Sequence, residues 1–146
     1  MTSDALNVEI FSGDAAELAA AFELLVPQLS KSNPPPSADE VKEMLASDAI
    51  TQFVARDGDG RIVGVSTLAV FPIPTARRAW IEDVIVDEPA RGGVGAALTK
   101  AMIERARSLG CKTIELTSRP SREAANHLYL KLGFEVRETN VYRYNL

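Results

Sequence analysis

The sequence predicts a mixed α/β fold: an antiparallel meander followed by alternating strands and helices, with helices on both faces of the sheet. Three observations carry this. Residues 51–56 and 61–71 read as strands joined by Asp57-Gly58-Asp59-Gly60, a strong hairpin signal, and residues 78–86 return as a third strand after a turn over residues 72–77. Residues 87–96 pass from that strand through a Gly-rich turn directly into a helical pattern. Gly110 and Gly133 each stand just past a helical pattern, with a strand-like segment following each. A meander followed by strand–helix–strand–helix–strand requires a mixed sheet with helices laid on it. With no internal repeat and no linker long enough to separate domains, residues 1–146 read as one domain.

Residues 7–11 form a short first strand. Asp14 heads a helix with Glu17 as its capping-box partner, and Leu18, Phe22, Leu25 and Leu29 give that helix one apolar face. Residues 32–36, with three consecutive prolines, end it and form a loop that is either a connector or a substrate-selecting element. Ser37 and Glu40 repeat the capping signature before Val41, Met44 and Leu45. After the meander, residues 94–109 form a helix with Val94, Ala97, Leu98, Ala101, Met102 and Leu109 on its apolar side. Residues 113–117 are a strand, 121–132 a helix, and 134–136 and 141–144 the last strands.

Composition narrows the function. A chain of 146 residues buries a core without disulfides or metal, and its single cysteine, Cys111, forms no internal disulfide. One histidine, His127, excludes a mechanism that needs two, and no metal-ligand cluster is apparent. A net charge of −4 argues against general nucleic-acid binding and mildly favours cationic partners. The sequence has no signal-like apolar region near its start and no membrane-length run, so a soluble, cytoplasmic protein is expected.

The chemistry gathers at residues 80–98, WIEDVIVDEPARGGVGAAL. The first N–H groups of a helix lack internal partners and carry the positive end of the macrodipole, so a Gly-rich entrance seats phosphate. A nucleoside-triphosphate loop needs Gly-Lys-Ser/Thr, and here Gly95 is followed by Ala96-Ala97-Leu98. A dinucleotide fingerprint needs a glycine where Leu98 stands and no room for the residues between Val86 and Gly93, although Glu115 lies at a suitable distance. The third pattern fits. A strand ending Val-x-Val-Asp, a short loop, an Arg/Gly-rich turn and a helix resemble motif A of the GNAT family of N-acetyltransferases. Gly93-Val94-Gly95 matches the second half of its Gln/Arg-x-x-Gly-x-Gly/Ala pattern; the Gln/Arg position falls on Ala90, with Arg91 one place late in a loop one residue short. Residues 121–134, SREAANHLYLKLGF, resemble motif B of the same family through Ala125, Tyr129, Lys131, Gly133 and Phe134, with Arg122 where Asn is frequent.

The resemblance implies the GNAT (acyl-CoA N-acyltransferase) fold and an acetyl-CoA-dependent N-acetyltransferase that moves acetyl to a primary amine in a ternary complex. It implies that backbone groups of Val84, Ile85 and Val86 hold the pantetheine arm. It places the pyrophosphate on N–H groups around Arg91, Gly92, Gly93, Val94, Gly95 and Ala96, and makes Arg122 and Asn126 further coenzyme contacts. Tyr129 matches the tyrosine that protonates the departing sulfur; a phenol titrates at about 10, so it is protonated at neutral pH. Arg122, Asn126 and Tyr129 share one side of a helix, beside an apolar stripe of Ala125, Leu128 and Leu132.

Glu82 and Asp83, on opposite faces by the period-two rule, are carboxylates inside an apolar strand. Glu82 either accepts the amine proton or pairs with Arg77 or Arg78. Ile81-Glu82-Asp83 also looks like that strand in glucosamine-6-phosphate N-acetyltransferases, where it lies at the sugar site. His127 is expected on the surface, Cys111 in the core rather than as a nucleophile, and Trp80 either in packing or in an acceptor pocket. The acceptor is a small molecule or a peptide end, and a homodimer is possible within the family. The competing class is a non-catalytic acyl-CoA-binding regulatory domain on the same fold; a nucleotide-binding protein would instead prefer NAD or ATP.

Overall fold

The computed structural model describes residues 5–90 and 92–146. Its internal contacts form two compact units, one running to Leu116 and the other Thr117–Leu146.

The first unit contains β1 (Asn7–Ile10), α1 (Ala15–Leu29), α2 (Ala38–Leu45), β2 (Ile50–Arg56), β3 (Ile62–Ile73), β4 (Ala76–Val86), a single 3-10 turn (Glu88–Ala90) and α3 (Val94–Ser108). The strands form one antiparallel sheet in the order β1-β2-β3-β4. Local chemistry fixes the joints. In the β2–β3 turn the Asp57 carboxylate accepts from the N–H groups of Asp59 and Arg61, and Gly60 takes a left-handed φ of 82°. The β3–β4 connection is tighter than residues 72–77 suggest, because Pro72 pairs with Arg77 and Ile73 with Ala76, leaving Pro74 and Thr75 as the turn.

The two capping signatures behave differently. At α2 both halves of the box form: Glu40 N–H donates to Ser37 Oγ and Ser37 N–H to the Glu40 carboxylate. At α1 Asp14 accepts from Ala16 N–H, but Glu17 turns away to Arg56 Nη1 at 2.8 Å. The guanidinium offers a charged donor where the box offered a neutral one.

Alternation along the strands divides the sheet faces. Val54, Val65 and Ile85 join Leu18, Phe22 and Leu25 of α1 and Val41 of α2 in the main core. Gly64, one residue from Val65, faces the other way, where a Cβ would lie 2.8 Å from Val94 and 3.2 Å from Leu98 of α3. Glycine is required there so that α3 can lie against β3. Helices therefore cover both faces. Buried Val94, Leu98, Met102 and Ala106 form the seam of α3, joined by Thr99, whose hydroxyl donates to the Gly95 carbonyl.

After α3 the structure departs from the expected strands. Residues 113–117 contribute only an isolated parallel bridge of Glu115 to Trp80, with Ile81 N–H donating to the Glu115 carbonyl and Glu115 N–H to that of Ala79. The second unit holds α4 (Glu123–Lys131), shorter than the expected 121–132, closed by Gly133 at φ 103°. Residues 134–136 and 141–144 are not strands: no ladder partner among the described residues accompanies them, and Val136, Tyr142 and Tyr144 are each 87% exposed. Alternating apolar residues favour an extended chain only where another strand accepts the hydrogen bonds.

Candidate active site

The end of β4 is irregular in a useful way. Val65 pairs with Ile85 and Thr67 with Glu82, so Asp83 and Val84 together oppose Ser66 in a β-bulge. Asp83 sits at φ 45°, a left-handed conformation that Asp tolerates better than most side chains. The bulge interrupts the period-two rule at Asp83 and Val84, so Ile85 returns to the face that bears Glu82. Beyond Ile81, the outer edge of β4 pairs with no strand among the described residues. Val84, Ile85 and Val86 thus follow the bulge along an open strand edge.

The chain then turns through a pinned loop. Asp87 N–H returns to the Val63 carbonyl, and the nearly buried Asp87 carboxylate accepts from Gln28 Nε2 at 3.0 Å and Arg61 Nη2 at 3.3 Å. Gln28 Oε1 accepts from Glu88 N–H. Next come Gly92 at φ 132° and Gly93 at φ 97°, both exposed, with open space where a Cβ would stand. These angles alone call for glycine. Gly93 caps α3 without a side-chain acceptor, and no acidic residue occupies the first turn, in contrast to Asp14 on α1 and Ser37 on α2. The N–H groups of Val94, Gly95 and Ala96 and the positive helix end are therefore left without a capping side chain beside two exposed glycines, an arrangement suited to phosphate. Arg91 lies outside the described residues.

Glu82 stands on the face of β4 that also bears Arg78 and Trp80. Among the described residues it forms no ion pair, so pairing with Arg77 or Arg78 does not occur. Desolvation, reinforced by the charge of Asp83, raises its carboxyl above the ordinary value of 4.5. In register beside it are Thr67 and then Gln52, the latter buried, a polar row adjoining the apolar row of Val54, Val65 and Ile85. Sequence reading missed Gln52 and Thr67, because a single polar residue in a strand gives no sign of burial until its partners on β3 are placed beside it.

In the second unit, Tyr129 is buried and meets Phe134 edge-on at 5.6 Å. Burial raises its phenol above 10, with Arg122 opposing, so the hydroxyl is a donor at neutral pH. Asn126 Nδ2 donates to the Arg119 and Arg122 carbonyls, which ties the start of α4 to the preceding turn. Arg122 is exposed, as is His127, and Cys111 is a partly buried free thiol.

The model of the acetyltransferase (GNAT) family matches residues 18–134. The chain belongs to this family. It is 33% identical over 144 residues to a glucosamine 6-phosphate N-acetyltransferase of Trypanosoma brucei brucei, covering 93% of this chain and 95% of that protein. A crystal structure of a Trypanosoma brucei acetyltransferase superposes with a TM-score of 0.79 at 31% identity, over 97% of this chain and all of the other. An aminoglycoside acetyltransferase from an uncultured soil sample, solved with sisomicin, shares the fold at a TM-score of 0.81 and 21% identity, over 97% and 95% of the two chains. This GNAT chain is an acetyltransferase enzyme, transferring acetyl to an amine. The enzyme relatives decide for catalysis over a regulatory role.

GNAT acetyltransferases use acetyl-CoA, and the residues here fit it: an open strand edge for an extended arm and a positive-φ glycine turn leading to an uncapped helix for a diphosphate. No helix among the described residues is long and apolar enough to cross a membrane.

Proposed function

We propose that the chain is a single-domain, acetyl-CoA-dependent N-acetyltransferase acting in the cytoplasm on a primary amine of a small molecule, with amino sugars and their phosphates the first class to test. The observation that carries this is Glu82: a carboxylate of raised basicity, without an ion pair among the described residues, beside a polar row on an accessible sheet face. Its role is to take the proton that an amine must lose before it attacks. Acetyl-CoA supplies the acyl thioester. Backbone groups of Val84, Ile85 and Val86 hold its extended arm, and the N–H groups of Gly92, Gly93, Val94, Gly95 and Ala96 hold its diphosphate, with Arg91, Arg122 and Asn126 as further contacts. Tyr129 holds a proton for the leaving sulfur, and its raised phenol keeps that proton across the neutral range.

The acceptor class is supported by β4 itself. Arg78, Trp80 and Glu82 lie two residues apart on one face, a cation, an aromatic plate and a carboxylate spanning about 13 Å of strand. Arg78 has no ion pair among the described residues. An amine carrying an anionic group at its far end suits this order better than the cationic acceptor suggested by the net charge alone. The glucosamine 6-phosphate activity of the trypanosomal relative is of this type.

The test is release of free CoA thiol from acetyl-CoA with glucosamine 6-phosphate, glucosamine, sisomicin and a peptide N-terminus. Turnover of glucosamine 6-phosphate well above glucosamine, reduced by Arg78→Ala, supports the reading. Turnover of the peptide alone contradicts the acceptor class, and no turnover of any of the four contradicts the small-amine reading.

A further inference from the structure

We infer that Thr67 is an acceptor-amine contact and Gln52 its positioning residue, two side chains that neither family motif contains. The inference rests on the proposed role of the Glu82 face.

Gln52 is 2% exposed, yet every polar atom of its amide is used. Nε2 donates to the Ser66 carbonyl at 3.0 Å and the Phe53 carbonyl at 3.2 Å. Its two hydrogens are thereby committed, and the reverse amide orientation would set oxygen against two carbonyl oxygens. The amide oxygen consequently faces Thr67 Oγ1, 2.8 Å away, and because it only accepts, the hydroxyl must donate. Thr67 has spent its only hydrogen. What the oxygen of this partly buried residue still presents is lone pairs.

Thr67 and Glu82 are register partners, so their side chains rise from the same face with Cβ atoms about 5 Å apart. A hydroxyl oxygen that can only accept therefore stands beside a carboxylate that, when charged, can only accept. Such a pair suits a nitrogen bearing several hydrogens. An ammonium gives one proton to Glu82, the N–H bond breaking as the carboxyl O–H forms, and the amine keeps its electron pair. Thr67 accepts one of the two remaining N–H groups and so fixes where that pair points. A free threonine hydroxyl would rotate and donate to the amine instead, tying up the electrons needed for attack. Gln52 prevents this.

The experiment is steady-state kinetics on Thr67→Val, Thr67→Ser, Gln52→Leu and Glu82→Gln, with glucosamine 6-phosphate, glucosamine and sisomicin as probes and acetyl-CoA affinity measured separately. Thr67→Val keeps the side-chain shape, and losing one hydrogen bond to a charged group should lower kcat/KM for the amine about tenfold or more. The KM for acetyl-CoA should not move. Thr67→Ser should restore most of the loss, and Gln52→Leu should lower kcat/KM without changing CoA affinity. Thr67→Val with unchanged amine kinetics, beside a Glu82→Gln variant that is impaired, overturns this inference and leaves the Glu82 assignment standing. An unimpaired Glu82→Gln, or no turnover of any probe by the wild type, overturns both.

Discussion

Gln28 and Asp87, 59 positions apart, meet side chain to side chain at 3.0 Å and tie the last turn of α1 to the loop that leads into the glycine turn. The same glutamine accepts from Glu88 N–H, so one residue holds both a carboxylate and a backbone amide of that loop. Gln28→Leu leaves Asp87, 5% exposed, with Arg61 as its charged partner and deprives Glu88 N–H of its acceptor. The expected cost is roughly 1–3 kcal/mol, read by urea denaturation. Weaker CoA binding should accompany it, because the loop sets the position of Gly92 and Gly93.

Glu82→Gln keeps the shape of the side chain and removes the proposed base. A general base contributes about 10²–10⁴-fold, so kcat/KM for the amine should fall within that range. The base works only unprotonated, so wild-type activity should rise with pH through a value above 4.5. The variant should lack that acid-side limb. A limb that persists unchanged assigns the titration to another group.

Tyr129→Phe retains the edge contact with Phe134 and removes the proposed acid. kcat should fall while CoA affinity holds. Since burial raises the phenol, the wild type should show no alkaline loss from this residue until beyond pH 10.

Arg56 gathers Glu9 of β1, Glu17 of α1 and the Gly60 carbonyl. Hydrogen bonding to Arg56 lowers the Glu17 carboxyl below 4.5, and the guanidinium is correspondingly raised. A lowered carboxyl stabilises the fold above its unfolded value and loses that contribution as pH falls through the folded one. Arg56→Met should cost roughly 1 kcal/mol near neutrality, discounted for the exposure of Glu17. The gap between variant and wild type should close in melting curves taken progressively below pH 4.5.

Much of this was legible from local chemistry. Ser37 and Glu40 act within one turn, Asp57 through Gly60 fix their own hairpin, and Gly92 and Gly93 lead into a helix with an uncapped N-terminus where the Gly-rich stretch announced one. What escaped sequence reading depends on partners far along the chain. Glu17 follows Arg56 across 39 positions rather than completing the box with Asp14. The bulge at Asp83 is a mismatch between two strands and leaves no mark in either alone. Residues 134–136 and 141–144 have a strand's alternation, but alternation does not supply a ladder. Gln52 reads as an ordinary polar strand position until its neighbours Ser66 and Thr67 are placed beside it.

Calorimetric titration of CoA into the wild type and Ala96→Glu asks whether the N-terminus of α3 seats the coenzyme diphosphate as proposed. Ala96 lies in the uncapped first turn, where a carboxylate complements the helix dipole and so should leave the melting temperature unchanged or slightly raised. The wild type should bind CoA, and the folded variant should bind at least about tenfold more weakly, a loss of about 1.4 kcal/mol or more. Equal affinity in the two proteins would contradict it and move the diphosphate away from this turn.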